Sequence, residues 1–189
     1  MRIGVLAVQG DFELHLQVLQ KLEVAIQEVR TPNELALCDG LIIPGGESTT
    51  FVKLLKENGL FEAIRKFGQE RPIMGTCAGL ITLATEVENN GFETLGLINL
   101  RVRRNAYGRQ IDSFIDTVTL QLQGKTFEFE GVFIRAPKII ALGEGTRALG
   151  YHGDEIVMAE NERILVATFH PELTDDLRVH RYFLEKTGQ

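Results

Sequence analysis

The stretch RPIMGTCAGLITLAT (residues 71–85) runs from a short apolar segment, through a cysteine bracketed by two glycines, into a second apolar segment of helical character. A strand over 72–76, a tight turn at Cys77 and a helix after it make one step of an open α/β sheet. The same rhythm extends toward the N-terminus. RIGVLAV (2–8) reads as a buried strand, and DFELHLQVLQKL (11–22) puts Phe12, Leu16, Leu19 and Leu22 at helical spacing behind Asp11 as N-cap. VAIQEV (24–29) reads as a strand, and TPNELAL (31–37) as a short helical turn opened by Pro32. DGLIIPGG (39–46) is a strand running into a glycine loop. ESTTFVKLLKENG (47–59) and LFEAIRKFGQE (60–70) are helices, the first ending at Gly59.

Beyond residue 96 the character changes. LINLRVRRN (97–105), DSFIDTVTLQLQGKTFEFEG (112–131) and VFIRAP (132–137) are strand-rich, with Gly124 at a hairpin turn. Residues 147–171 read as two or three more strands, and TDDLRVHRYFLEK (174–186) as a last helix with Thr174 as N-cap. The expected class is α/β with three layers: a mostly parallel central sheet flanked by helices, with an antiparallel strand-rich second half. A single domain over 1–189 is expected.

Hydrophobic residues make up 44% and charged residues 24%, as in ordinary soluble domains. The formal charge of -6 argues against a nucleic-acid footprint, which needs a basic patch. No apolar run approaches a membrane span. The run from Ile3 to Val8 is too short for a signal-peptide core, and acidic residues follow it at once. Two cysteines build no disulfide framework, so a reducing cytoplasm is expected. There is no Cys/His cluster at ligand spacing, and neither a metal nor a cofactor is expected.

Ligand sites in open α/β sheets lie off the carboxyl ends of the strands. Three loops fall there: VQGD (8–11), PGGES (44–48) and TCAG (76–79). Gly-x-Cys-x-Gly has the spacing of a nucleophile elbow, the strained strand-to-helix turn that exposes a nucleophile at the top of a sheet. The following helix aims its free N–H groups at the sulfur, and the Ala78 N–H becomes a candidate oxyanion donor. The alternative is a close-packed turn in which the cysteine is incidental. Cys38, in LALCDG, reads as a small buried hydrophobe.

A cysteine nucleophile needs a base. His15 reads as a solvated face residue opposite the stripe of its helix, His152 as an exposed turn residue, and His180 as surface or packing. His170 differs: it ends the apolar run ILVATF (164–169), directly before Pro171. Glu172, two residues on, is placed to accept the imidazole N–H and fix its tautomer. Gly45 and Gly46 let backbone N–H groups face a ligand closely, and one could complete an oxyanion hole with Ala78. Ser48 or Thr49 is the expected N-cap of the helix after them.

PGGES, GTCAG and HPE in this order resemble the class I, or triad, glutamine amidotransferases. GVLAVQGDFELH (4–15), LIIPGGESTT (41–50), RNAYGRQIDSF (104–114), VFIRAP (132–137) and TFHPELTDDLRVHRYFL (168–184) narrow the resemblance to the glutaminase subunits of pyridoxal 5'-phosphate synthases, from residue 3 to residue 186. The resemblance implies Cys77 as nucleophile, His170 as general base and acid, Glu172 as its orienter, and Gly46 and Ala78 as the oxyanion hole. It implies Gly46, Glu47, Ser48, Arg104, Ile134 and Arg135 as the glutamine site, with Gln9, Asn105 and Gly45 as accessory positions. Arg103 stands where many relatives carry an acid, and reads as peripheral.

The implied activity is hydrolysis of L-glutamine to glutamate and ammonia. The implied partner is a β/α-barrel synthase subunit that uses the ammonia to make pyridoxal 5'-phosphate. Three rivals stay open: a glutaminase serving another synthase, a non-catalytic cysteine-elbow protein acting in redox sensing or interaction, and a stand-alone peptidase, which would need an open cleft.

Overall fold

The computed structural model describes residues 1–88, 93–104 and 113–188. In the N-terminal half, β1 (Arg2–Leu6), α1 (Phe12–Lys21), β2 (Ala25–Val29), α2 (Pro32–Ala36), β3 (Gly40–Ile43), α3 (Ser48–Glu57), α4 (Leu60–Glu70) and β4 (Ile73–Thr76) follow the expected alternation. After the cysteine turn come α5 (Ala78–Leu83), β5 (Ala84–Val87) and β6 (Ile98–Arg103). The long hairpin β7 (Ser113–Leu122) and β8 (Lys125–Ile134) leads to β9 (Lys138–Leu142), β10 (Arg147–His152), β11 (Glu155–Glu160) and β12 (Ile164–Ala167). A single 3-10 turn (Pro171–Leu173) and α6 (Arg178–Thr187) complete the described chain.

Nine strands form the main sheet in the order β2-β1-β3-β4-β12-β11-β10-β7-β8. The first five run parallel. The last four continue antiparallel. β5, β6 and β9 form a separate three-stranded sheet. Strand β12 arrives from the second half of the chain and seats itself beside β4, with Ala167 paired to Thr76. That one pairing brings the end of the HPE strand next to the cysteine turn.

Strand side chains alternate between faces, and the core divides accordingly. Leu41, Ile43, Ile73, Ile164 and Val166 pack with α2, α3, α4 and α5 on one face. Ile42, Met74, Leu165 and Ala167 pack with Leu19 of α1 and Val179, Phe183 and Leu184 of α6 on the other. Helices therefore cover both faces of the parallel part, as parallel sheets require.

Local signals differ from expectation at several ends. Asp11 makes no side-chain cap at α1. The cap of α3 is Glu47, which accepts from the Thr49 and Thr50 N–H groups, and neither Ser48 nor Thr49 takes that role. Helix α6 starts at Arg178, four residues beyond Thr174, because Thr174 closes the preceding turn by donating to the Pro171 carbonyl. VFIRAP is no separate strand: its first residues end β8. β5 and β9 carry no clear periodicity and emerge only from pairing with β6.

Candidate active site

Cys77 sits between β4 and α5 with φ 50° and ψ −105°, a strained conformation for a residue with a side chain. The flanking glycines are there for space. A Cβ on Gly75 would stand 2.8 Å from the Gly79 backbone, and one on Gly79 would stand 2.2 Å from the Ile43 carbonyl oxygen. The turn is pinned to the sheet by Cys77 N–H donating to the Ala167 carbonyl at 2.9 Å. The sulfur lies 3.8 Å from the Ile134 carbonyl.

His170 follows β12, and its backbone N–H donates to the Val132 carbonyl of β8 at 2.8 Å. Its Nδ1 stands 2.6 Å from Oε1 of Glu172, with both side chains almost fully buried. Burial alone would pull the imidazolium down, but hydrogen bonding with Cys77 and Glu172, and their charge, push His170 up to about 10. Burial likewise opposes ionisation of Glu172, yet His15 and the hydrogen bond from His170 bring its carboxyl down to about 2. Cys77, His170 and Glu172 thus share one corner: the Gly45 Cβ position lies 3.5 Å from Cys77 Cβ and 2.6 Å from His170 Cε1, and His170 is hydrogen-bonded to Glu172.

A cleft of about 350 Å³ opens above the cysteine, lined by Asp11, Gly46, Glu47, Ser48, Cys77, Ile81, Arg104, Ile134, Arg135 and His170. Every residue expected to hold glutamine is in that wall. Of the oxyanion-hole pair, Gly46 borders the cleft, while Ala78 is buried at the start of α5 and is not part of its lining. Gln9 lies behind Gly46, whose Cβ position is 2.8 Å from its amide nitrogen. Asn105 lies outside the described residues. Arg103 pairs with Glu88 and does not line the cleft.

The polar groups of the cleft are poised for a zwitterion. Arg104 Nη2 donates to Glu47 Oε1 at 3.1 Å. Partial burial works against the Glu47 charge, but the N–H groups of Thr50 and Thr49 hold its carboxyl at about 2. Ser48 Oγ is buried with no hydrogen-bond partner among the described residues. A ligand supplying a carboxylate, an ammonium and a hydrogen-bonding amide would satisfy this set.

Two histidines are not where the sequence put them. His15 and His180 are both fully buried, against the expectation of a solvated face and a surface position. His15 sits behind Glu172, and His180 behind His15. The signal is present in the sequence: His15, Val18, Leu19 and Leu22 fall on one helical stripe, as do His180, Phe183 and Leu184. His152 is half-buried and pairs with Asp116 at 2.9 Å. Cys38 is buried as expected, and burial pushes its thiol up to about 11. Of the other cleft-lining residues, Asp11 belongs to the VQGD loop expected at this edge, and Ile81 carried no such signal in the sequence. Among the described residues, no group of three or more His, Cys, Asp or Glu could hold a metal, and no helix is long and apolar enough to cross a membrane.

An α/β sheet with this cysteine turn is the fold of the glutamine amidotransferases. A solved structure described as a glutamine amidotransferase superposes with a TM-score of 0.92 at 44% identity, covering 99% of each chain. A glutamine amidotransferase from Thermotoga maritima shares the fold at a TM-score of 0.65 and 13% identity, over 100% of this chain and 94% of that one. The SNO glutamine amidotransferase family profile matches residues 5–189, and the chain belongs to that family. Among its relatives are the pyridoxal 5'-phosphate synthase subunits PdxT of Thermosipho africanus, 48% identical over 97% of both chains, and of Chloroflexus aggregans, 53% identical over 98% of this chain and all of that one.

Proposed function

We propose that this chain is the glutaminase subunit of a pyridoxal 5'-phosphate synthase. The observation that carries the reading is Cys77 and a Glu172-bonded His170 lining one cleft together with Arg104, Glu47 and Ser48. In the mechanism, the Cys77 sulfur attacks the side-chain amide carbon of L-glutamine. The oxyanion is held by the N–H groups of Gly46 and Ala78. His170 gives a proton to the leaving nitrogen, ammonia departs, and a glutamyl thioester remains. Water then attacks the thioester, His170 takes its proton and returns it to the sulfur, and glutamate leaves. Glu172 keeps the imidazole in one tautomer throughout.

Arg104 and Arg135 are the cations for the substrate carboxylate, with Glu47 as acceptor for its ammonium and Ser48 beside them. Ammonia in bulk water at neutral pH is mostly ammonium, so a productive enzyme hands it directly to a partner. Membership of this family, and relatives described as synthase subunits, support a synthase barrel as that partner. The docking face is taken to be α1 with the loops around Gln9 and Arg104, which flank the cleft. The reaction takes place in the cytoplasm and uses no cofactor of this chain's own.

Glutamate release from L-glutamine tests the reading, measured with and without the barrel protein of a pyridoxal 5'-phosphate synthase and beside Cys77→Ala. Turnover that rises with the barrel and vanishes in the variant is expected. Turnover surviving in Cys77→Ala would remove the mechanism, and indifference to the barrel would remove the partner.

A further inference from the structure

The carboxylate of Glu172 has two oxygens, and the triad uses one. Its Oε2 is buried and makes no regular hydrogen bond among the described residues. His15 Nε2 stands 3.4 Å from that oxygen and 3.3 Å from Thr76 Oγ1. On its other side, His15 Nδ1 lies 2.9 Å from His180 Nε2. His180 Nδ1, at the far end, is buried without a partner among the described residues. Helix α1, helix α6 and strand β4 thus converge behind Glu172.

The protons along this line can be placed by counting. A carboxylate only accepts, so the His15 nitrogen facing it carries the hydrogen. Full burial, more than any neighbour, holds His15 down toward its neutral form, with the charge of Glu172 working the other way. A neutral His15 with hydrogen on Nε2 has a bare Nδ1, which must accept from His180 Nε2–H. His180, which burial takes down to about 3, is then bare at Nδ1. That is the atom left without a partner, and an orphaned lone pair costs less than an orphaned N–H. The reverse order would turn a lone pair of His15 toward a carboxylate and bury an unpaired N–H on His180. The Thr76 hydroxyl can meet a bare Nε2, but the reverse order still buries an unpaired N–H, so the count favours the first tautomer of each ring.

We propose that His15, locked in a single tautomer by His180, is a positioning residue for the triad: its Nε2–H, shared between Thr76 and Glu172 Oε2, fixes the carboxylate so that Oε1 stays on His170. This rests on the reading of Glu172 as the orienter of His170. The groups that bear on Glu172 are His15 from α1, His170 beside it, Asp11 at the head of α1 acting through His15, Cys77 acting through His170, and His180 from α6.

Nitrogen-15 NMR of the histidine rings in the intact protein tests the arrangement directly and without reference to turnover. His15 and His180 are expected as neutral Nε2–H tautomers at neutral pH, His180 without titration between about pH 5 and 8. A hydrogen on Nδ1 of either neutral ring, or titration of His180 in that range, overturns the proposal. Kinetics of His15→Leu and His15→Gln supply the second arm. Leucine removes the donor, and a glutamine amide can replace it. Leucine is expected to lower kcat on the order of ten- to a hundredfold, as when the group orienting a functional ligand is lost, with KM for glutamine unchanged. It also moves the acid limb of kcat/KM to higher pH, because Glu172 loses a donor that favours its anion; glutamine at position 15 recovers both. Equal losses in the two variants with an unmoved acid limb would reduce His15 to packing. A wild type without turnover would condemn the glutaminase reading, while the ring tautomers would still decide this one.

Discussion

His170 Nδ1 and Glu172 Oε1 are 2.6 Å apart, two residues apart in sequence, and both nearly closed off from water. The intervening Pro171 opens a 3-10 turn, so the pair is held by backbone geometry as well as by charge. Its two members titrate in opposite directions, and this gives the fold a pH signature. Glu172 is depressed, so its contribution is complete above about 4.5 and is lost as pH falls toward about 2. His170 is raised, so its contribution is complete below about 6.5 and drains away as pH rises toward about 10. Thermal unfolding across pH is expected to show a plateau between those two unfolded values. Glu172→Gln should lower the plateau and flatten the acid side; an identical profile in wild type and variant would contradict the pairing.

Gly45 touches the ring that Glu172 holds. Gly45→Ala places a methyl 2.6 Å from His170 Cε1, inside contact distance, and the imidazole must move. A shift of about 1 Å at a catalytic group can cost about a hundredfold. kcat/KM for glutamine should fall by about that much, with a much smaller change in the urea midpoint. Equal loss of stability and activity would mean that the loop itself had failed.

Gly79 offers the opposite balance. Gly79→Ala drives a methyl into the Ile43 carbonyl, which belongs to a central strand and cannot yield cheaply. Overpacking of this kind costs about 1–3 kcal/mol. Gly124→Ala, at a hairpin tip with φ 72° and open space around it, isolates the conformational cost alone. Chemical denaturation of the two variants should rank Gly79→Ala as the more damaging.

Glu47 has two jobs that can be separated. It caps α3, and it faces Arg104 across the cleft. Glu47→Ala should cost about 1 kcal/mol of stability through the lost cap and raise the KM for glutamine. Glu47→Gln retains an acceptor for the cap and loses the charge, so it should recover stability without recovering KM. Recovery of both would show that the charge is irrelevant to the substrate.

Glu160 anchors the last helix. It is almost wholly buried, and it accepts from Arg147 Nε at 3.0 Å, Tyr182 Oη at 2.9 Å and Lys186 Nζ at 3.0 Å. Arg147 lies mostly in water, so what Glu160→Ala strands is the mostly covered Lys186 ammonium and the Tyr182 hydroxyl, together with a cavity where the carboxylate packed. Glu160→Ala should therefore lower the unfolding midpoint far more than Glu162→Ala at an exposed neighbour.

The parallel half of the fold was legible because each strand there is a short apolar run bounded by a loop with its own chemistry. LIIPGGES and IMGTCAG each carry strand, turn and function in under ten residues. The cleft residues were legible only through resemblance, since Arg104, Ile134 and Arg135 lie far from Cys77 in sequence and reach the cleft from two different sheets, Arg104 after β6 and the Ile134–Arg135 pair at the end of β8. β9 went unread because KIIAL has no distinct alternation, and its partner β6 is far along the chain. His15 and His180 were misplaced because polarity was weighed above position. Both fall on buried helical stripes, where a polar side chain is tolerated only if another polar group awaits it.

The pairing of β12 with β4 also sets an order of events during synthesis. Cys77 leaves the ribosome some ninety residues before His170, as their numbers show. In that interval β4 has no neighbour on one side, and the sulfur has neither its imidazole nor the carboxylate behind it. Strand β12 closes the sheet edge and delivers the base in a single docking step. A nascent or truncated chain lacking residues 164–172 therefore carries an unassisted thiol and an open strand edge, so the chain's readiness to aggregate and its inability to consume glutamine end together.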